Sequence, residues 1–260
     1  MLKNTLNFIA ILISTLTFAQ QNLPHPQNLK SHNLQGKVKS LEEKLVSQKN
    51  NNDIENFTTK FDENGNITDK TIFSNDRKNQ TLYFYNNQNK TEKITFKAWQ
   101  KDVLNQDIIV TFRYQKDSVF VNSEIAKGYE KESKNFIMIY ENGLLKKKHS
   151  KNKEETEEII FNYDDHQNVI SETKYKNGEL DKEEKFNYEY HDNGNISKKT
   201  THYLNSISEE TFFPNALIKS DEYFTYGYTY DSTGNWITMK TSTKNNKPSS
   251  EYKRTIEYYK

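Results

Sequence analysis

The stretch Asp62-Glu-Asn64-Gly65-Asn66-Ile-Thr-Asp69 sets carboxylate and amide oxygens around a glycine, the arrangement by which calcium loops gather hard oxygen ligands. An EF-hand-type loop needs oxygen ligands at positions 1, 3 and 5, glycine at 6 and glutamate at 12. Here the glycine comes fourth, and the equivalent stretches place His191 and Ser232 where ligands would stand. Asx and Gly together also favour turns without any ion. The stretch therefore reads as a turn, and no metal or other cofactor is assigned. The six histidines (His25, His32, His149, His166, His191 and His202) include no i, i+4 pair of the kind that binds zinc from one helix face, and they read as surface residues. The chain has no cysteine and no G-x-S-x-G, so the common nucleophile arrangements are absent. With 36 acidic residues, some pair will always meet glycosidase spacing, and nothing singles one out. Glu154-Glu-Thr-Glu-Glu158 after Lys146-Lys-Lys148 reads as solvated hairpin edges. No catalytic residue is assigned, and the chain is expected not to be an enzyme.

What remains is aromatic. Phe186-Asn-Tyr188-Glu-Tyr190 and Tyr226-Gly-Tyr228-Thr-Tyr230 put rings at every second position, with Tyr163 and Trp236 in equivalent frames. Such rows are either a core, held by cross-strand ring pairs, or a surface on which sugar rings or another protein stack. The core reading is preferred.

Spacing by two means strands with one buried and one wetter face. With the ring before each turn as position zero, the frame recurs at Phe61, Tyr85, Tyr140, Tyr163, Tyr190 and Tyr230. An Asn-Gly at 64–65 could close a two-residue type I′ loop, or a three-residue loop with a G1 bulge. Only the bulged loop pairs Phe61 with Ile67, Tyr163 with Val169, Tyr190 with Ile196 and Tyr230 with Trp236. It is preferred, with Gly65, Gly143, Gly178, Gly194 and Gly234 assigned to the left-handed position and Asn66, Asn195 and Asn235 following it. The polar residues eight beyond zero (Asp69, Ser171, Lys198 and Thr238) imply burial concentrated near the turns or a curling sheet. Residues 38–46 fit a strand or a helix, and the strand is preferred.

The expected fold is all-β: a repetitive antiparallel hairpin meander forming one extended, twisted or curled sheet over residues 36–260. Such a sheet has one apolar face and no amphipathic helix to cover it, so curling, self-association or a partner must do so.

Residues 1–19 read as a signal peptide: Lys3, an apolar run from Leu6 to Phe18, and Thr17-Phe18-Ala19 before Gln20. Residues 20–35, with Pro24 and Pro26, read as a linker. No second apolar run follows, so no membrane span is expected after cleavage. Net charge is +1, which gives no global field toward nucleic acid.

The string Tyr228-Thr-Tyr230-Asp231-Ser-Thr-Gly234-Asn235-Trp236, with Tyr190 to Ile196 as a looser copy, resembles the YD repeat of the RHS-repeat family. Tyr140-Glu-Asn-Gly143-Leu and Tyr175-Lys-Asn-Gly178-Glu-Leu are similar to the MORN-like hairpins of small exported bacterial proteins. Large RHS proteins resemble shells enclosing a toxin. This chain departs from them at His191, which replaces the Asp, and at Gln167, which replaces a Gly. Taken together, these features lead us to expect an exported, non-catalytic structural or interaction module at the cell envelope, periplasmic, on the outer surface or secreted. Its partner would be an envelope protein, a polysaccharide or a second copy joined through the aromatic face. The alternative is a carbohydrate-binding protein or glycan-active enzyme using an aromatic groove.

Overall fold

Among the described residues from Val38 onward, side-chain alternation makes each regular segment a strand, and the remaining question is where the sheet's two edges go. The computed structural model describes residues 29–32, 34–47, 54–127, 134–151, 155–204 and 206–260; the signal peptide and the first part of the linker lie outside them. The first half of the sheet comprises β1 (Val38–Ser47), β2 (Ile54–Phe61), β3 (Ile67–Ser74), β4 (Arg77–Tyr85), β5 (Thr91–Gln100), β6 (Val103–Gln115), β7 (Ser118–Lys127), β8 (Lys134–Glu141) and β9 (Leu144–Lys151). The second half comprises β10 (Thr156–Tyr163), β11 (Val169–Lys176), β12 (Glu179–Tyr190), β13 (Ile196–Tyr203), β14 (Ser206–Phe212), β15 (Ile218–Ser220), β16 (Phe224–Tyr230), β17 (Trp236–Thr243) and β18 (Pro248–Tyr258). Each strand runs antiparallel to the next, and β18 pairs back onto β1 from Val38↔Tyr258 to Ser47↔Ser250. The meander is therefore a closed 18-stranded β-barrel.

Closure corrects the open, extended or twisted form of the expected sheet; of the covers considered, curling is the one the chain takes. A single apolar face needs a cover, and rolling the sheet until its first and last strands pair provides one while removing both edges. No covering helix is required.

The bulged hairpins that follow a zero-position ring turn at one rim, here the upper rim, because successive turns alternate between the two ends; the same loop recurs at the lower rim at 243–247, between β17 and β18. There the structure has Phe61↔Ile67, Tyr163↔Val169, Tyr190↔Ile196 and Tyr230↔Trp236, each beside a register shift. The shift also accounts for the polar residues eight beyond zero. One extra residue reverses the in-out parity, so Asp69, Ser171, Lys198 and Thr238 pair with the outward Lys60, Asn162, Glu189 and Thr229. Gly143 and Gly178 depart from the expected bulged loop. They take the second place of two-residue turns after Asn142 and Asn177, with both residues at positive φ as type I′ requires.

The core is uneven around the ring. Along β5–β8, Ile94, Phe96, Val110, Val119, Val121 and Met138 form one dry cluster on the inner face. A second cluster at the upper rim joins Leu34, Val38, Leu41, Phe61 and Ile67. Along β11–β16 the inward residues are only half-buried. Leu29, Leu34 and Gln35, from the end of the expected linker, pack on the upper rim: Leu29 N–H donates to Gly65 O (3.0 Å), and Gln35 N–H donates to the buried Asn235 (2.6 Å).

Candidate functional site

The recurrent unit of this barrel is a turn tied to a tyrosine. After Phe212 and the zero-position Phe61, Tyr85, Tyr163, Tyr190 and Tyr230, though not after Tyr140, the chain makes the same loop at 62–66, 86–90, 164–168, 191–195, 213–217 and 231–235, with backbone bonds such as Asp62 N–H to Asn66 O (2.8 Å) and Gly65 N–H to Asp62 O (2.9 Å). The left-handed position is filled by Gly65, Asn89, Gln167, Gly194, Ala216 and Gly234. The side chain of the first loop residue completes the turn. Asp62, Asp164 and Asp231 each accept the N–H of the residue four further on, at 2.8, 2.7 and 2.9 Å. Thus the aspartate of the Tyr-Asp pair is a loop cap.

The tyrosine hydroxyls bind the neighbouring hairpin. Tyr85 donates to Ile67 O (2.5 Å), Tyr114 to Thr91 O (2.7 Å), Tyr163 to Leu145 O (2.6 Å), Tyr188 to Val169 O (2.8 Å) and Tyr228 to Ile218 O (3.0 Å). In every case the acceptor sits at the start of a strand just past a turn or bulge, where the ladder is irregular. Two further hydroxyls reach the capping carboxylates: Tyr190 to Asp164 (2.8 Å) and Tyr258 to Asp231 (2.6 Å). Burial raises Tyr85, Tyr114, Tyr163, Tyr188, Tyr190 and Tyr228 above their ordinary range, Tyr163 and Tyr228 to about 12.

The aromatic residues expected to form a core or a binding row lie in two groups. Tyr163, Phe186, Tyr188 and Tyr190 share the inner face of β10–β12, with Lys199 Nζ 5.0 Å above the Phe186 ring and His166 stacked on Tyr190 at 4.3 Å. Tyr226, Tyr228, Tyr230 and Trp236 form the other group on β16–β17. There Tyr226 donates to Asp221 (2.5 Å), and Trp236 is buried beneath the Arg254 guanidinium, 3.3 Å from its centroid. Tyr230 is the most exposed of the set. Of the assigned turn residues, Asn66 and Asn235 are buried and Asn195 is exposed.

Charges also point inward. Arg254 pairs with Glu43 at 2.8 Å, and burial lowers its pKa against the pull of that carboxylate. His32 is held down to about 4 by burial, then by Lys70 and Arg254. Around β9–β14, Lys174 pairs with Glu157 (2.8 Å), Lys182 with Glu184 (2.7 Å) and Lys199 with Glu210 (3.5 Å). Lys148, on the same face, is lowered to about 8 by burial, against the pull of Glu172 and Glu157. The paired groups largely neutralise one another. Among the described residues, no three His, Asp or Glu side chains gather to hold a metal ion.

A groove of about 540 Å³ lies on the outer wall across β6–β9. One row of cross-strand neighbours runs Arg113, Phe120, Ile137, His149. The next row runs Thr111, Asn122, Asn135, with Lys151 beyond. Arg113 lies over the Phe120 ring at 4.5 Å. His149 Nδ1 stands 3.8 Å from Glu158, whose carboxylate pairs with Lys147. Sequence reading missed this site because its outward residues Thr111, Arg113, Phe120 and Asn122 lie outside the zero-position frame. The signal that could have found it is the outward parity of Thr111, Arg113, Phe120 and Asn122 in two strands whose alternate residues are aliphatic or aromatic.

No protein-family model matches the chain, and no curated protein matches it. Among solved structures, it is similar to a porin-like protein from Bacteroides uniformis, at 11% identity and a TM-score of 0.47, over 85% of this chain and 96% of that one. A porin-like protein from Bacteroides vulgatus aligns at 11% identity and a TM-score of 0.30, over 85% and 98% of the two chains. A TcdB2-TccC3 structure without its hypervariable C-terminal region aligns at 11% identity and a TM-score of 0.21, over 78% of this chain and 15% of that one.

Proposed function

We propose that this chain is an exported, non-catalytic structural or interaction module of the cell envelope, built from YD-type hairpins, whose barrel stands in water. The observation that carries the reading is the outer wall. Its outward positions include Lys60, Lys97, Lys185, Glu189, Lys198 and Lys253. Lysine on a lipid-facing strand costs about 2–4 kcal/mol at the bilayer midplane, and no apolar belt survives so many. The outward rings are themselves sheltered by cations: Lys78 lies 4.9 Å from Trp99, and Lys93 lies 4.1 Å from Phe84. Among the described residues no helix is long and apolar enough to cross a membrane, which says nothing of strands. The inner tyrosines support a structural role, since their hydroxyls are engaged by the protein's own carbonyls and carboxylates.

Fractionation of cells expressing the full chain tests the reading. It expects the mature protein, beginning at Gln20 by mass spectrometry, in the osmotic-shock or culture-medium fraction. Recovery in detergent-requiring membranes, or a product retaining Met1, would overturn it.

A further inference from the structure

We propose that the outer groove across β6–β9 is a binding site for acidic saccharides of the uronate class. The inference rests on the reading that the outer wall stands in water, and it names a ligand for that wall. Three features converge on the class. The floor is apolar, with Phe120 and Ile137 side by side on adjacent strands, which suits the C–H face of a sugar ring. Beside it, Asn122 and Asn135 are exposed cross-strand neighbours, giving paired donors and acceptors at the spacing of adjacent hydroxyls. At the ends of the groove stand Arg113 and Lys151, and no acidic side chain lines it.

Arg113 is the carboxylate-binding candidate. Its guanidinium lies on the Phe120 ring at 4.5 Å, and among the described residues it forms no ion pair. A guanidinium over a ring leaves its N–H fork available to a carboxylate. A fatty acid would use the floor and the cations but leave both amides without partners. An acidic peptide would use the cations but has no need of the apolar floor. A uronate uses all three.

Calorimetric titration of the mature protein with a galacturonic acid hexamer tests the site, with the methyl-esterified hexamer, hexaglutamate and dodecanoate as competitors of class. Binding of the acid hexamer is expected, weakening with added salt and falling about tenfold or more in Arg113→Gln, which loses a charged bidentate partner. Phe120→Ala should weaken it as well, whereas Lys253→Gln on the far wall should not. Melting of each variant is measured alongside, so that lost folding is not read as lost binding. No heat with the acid hexamer, equal binding of the esterified hexamer, hexaglutamate or dodecanoate, or an equal loss in Lys253→Gln would overturn the assignment. A soluble exported protein that binds no uronate sinks the site alone; recovery of the protein in membranes sinks the reading beneath it.

Discussion

The account of the inner aromatic residues stands or falls on the hydroxyl of Tyr188. Tyr188 lies mid-row on β12, half-buried, and donates to Val169 O at 2.8 Å across the β10–β11 hairpin. Tyr188→Phe keeps the ring and removes that bond, and a typical intramolecular hydrogen bond contributes a net of about 0.5–1.5 kcal/mol. For a chain of this size about 1 kcal/mol moves melting by roughly 2–4 °C. Tyr188→Ala also removes the ring. Truncating a fully buried aromatic costs about 3–5 kcal/mol; a half-exposed one loses less area, so a total of about 2–3 kcal/mol is expected. Urea denaturation of wild type, Phe and Ala variants, followed by far-UV circular dichroism, should show two steps of unequal size. A Phe variant at the wild-type midpoint and an Ala variant within about 0.5 kcal/mol of it would refute the staple, since surface substitutions fall in that range. Retention on envelope polysaccharide lost at wild-type stability would instead make Tyr188 a binding residue.

Four further outcomes follow from the geometry. Burial raises Tyr83, Tyr163 and Tyr228 to about 12, so alkaline titration of phenolate absorbance should leave part of the 17 tyrosines protonated past pH 11, whereas in denaturant all should titrate near about 10. His32, lowered from 6.5 to about 4, is held neutral in the fold. Its contribution is complete above pH 6.5 and is lost as pH falls toward 4, so His32→Leu should flatten the stability slope in that window, and an unchanged slope would contradict the placement. Gly194 and Gly65 both have φ near +80°, but a Cβ at Gly194 meets open space while one at Gly65 meets Leu29 Cδ1 at 2.9 Å; Gly194→Ala should cost about 1–2 kcal/mol in denaturant, and Gly65→Ala measurably more. Arg254→Met should cost about 1–3 kcal/mol by leaving the half-buried Glu43 without its partner, and adding Glu43→Leu should recover most of that; a double variant no better than the single one would argue against the pair.

Much of the wall was legible in the sequence. Rings at every second position declared strands, and the need to face each ring with an apolar residue selected the bulged register over the tighter hairpin. Closure was not legible. β1 and β18 pair across the whole chain, and nothing in Leu41 or Ile256 declares that they are neighbours. The reversal of parity after each bulge was hidden for a related reason: Asp69 and Lys198 look like failures of burial until Lys60 and Glu189 are seen opposite them. The left-handed positions were visible where glycine fills them and missed at Asn89 and Ala216, where the loop's hydrogen bonds impose the conformation on another residue. The outer groove was illegible because the residues that make it lie on four strands, and only the register of those strands sets Arg113, Phe120, Ile137 and His149 in one line.

The central claim, that the first and last strands close the ring within one chain, is tested most directly by a cross-link. Glu42 and Thr255 are exposed partners on β1 and β18, and the chain has no cysteine of its own. In Glu42→Cys with Thr255→Cys, mild oxidation should give a monomer with an internal disulfide, seen as loss of two hydrogens by mass spectrometry and faster migration on a non-reducing gel. Thiols that stay free, or that link only one chain to another, would show that β1 and β18 do not meet within one molecule and that the sheet is open.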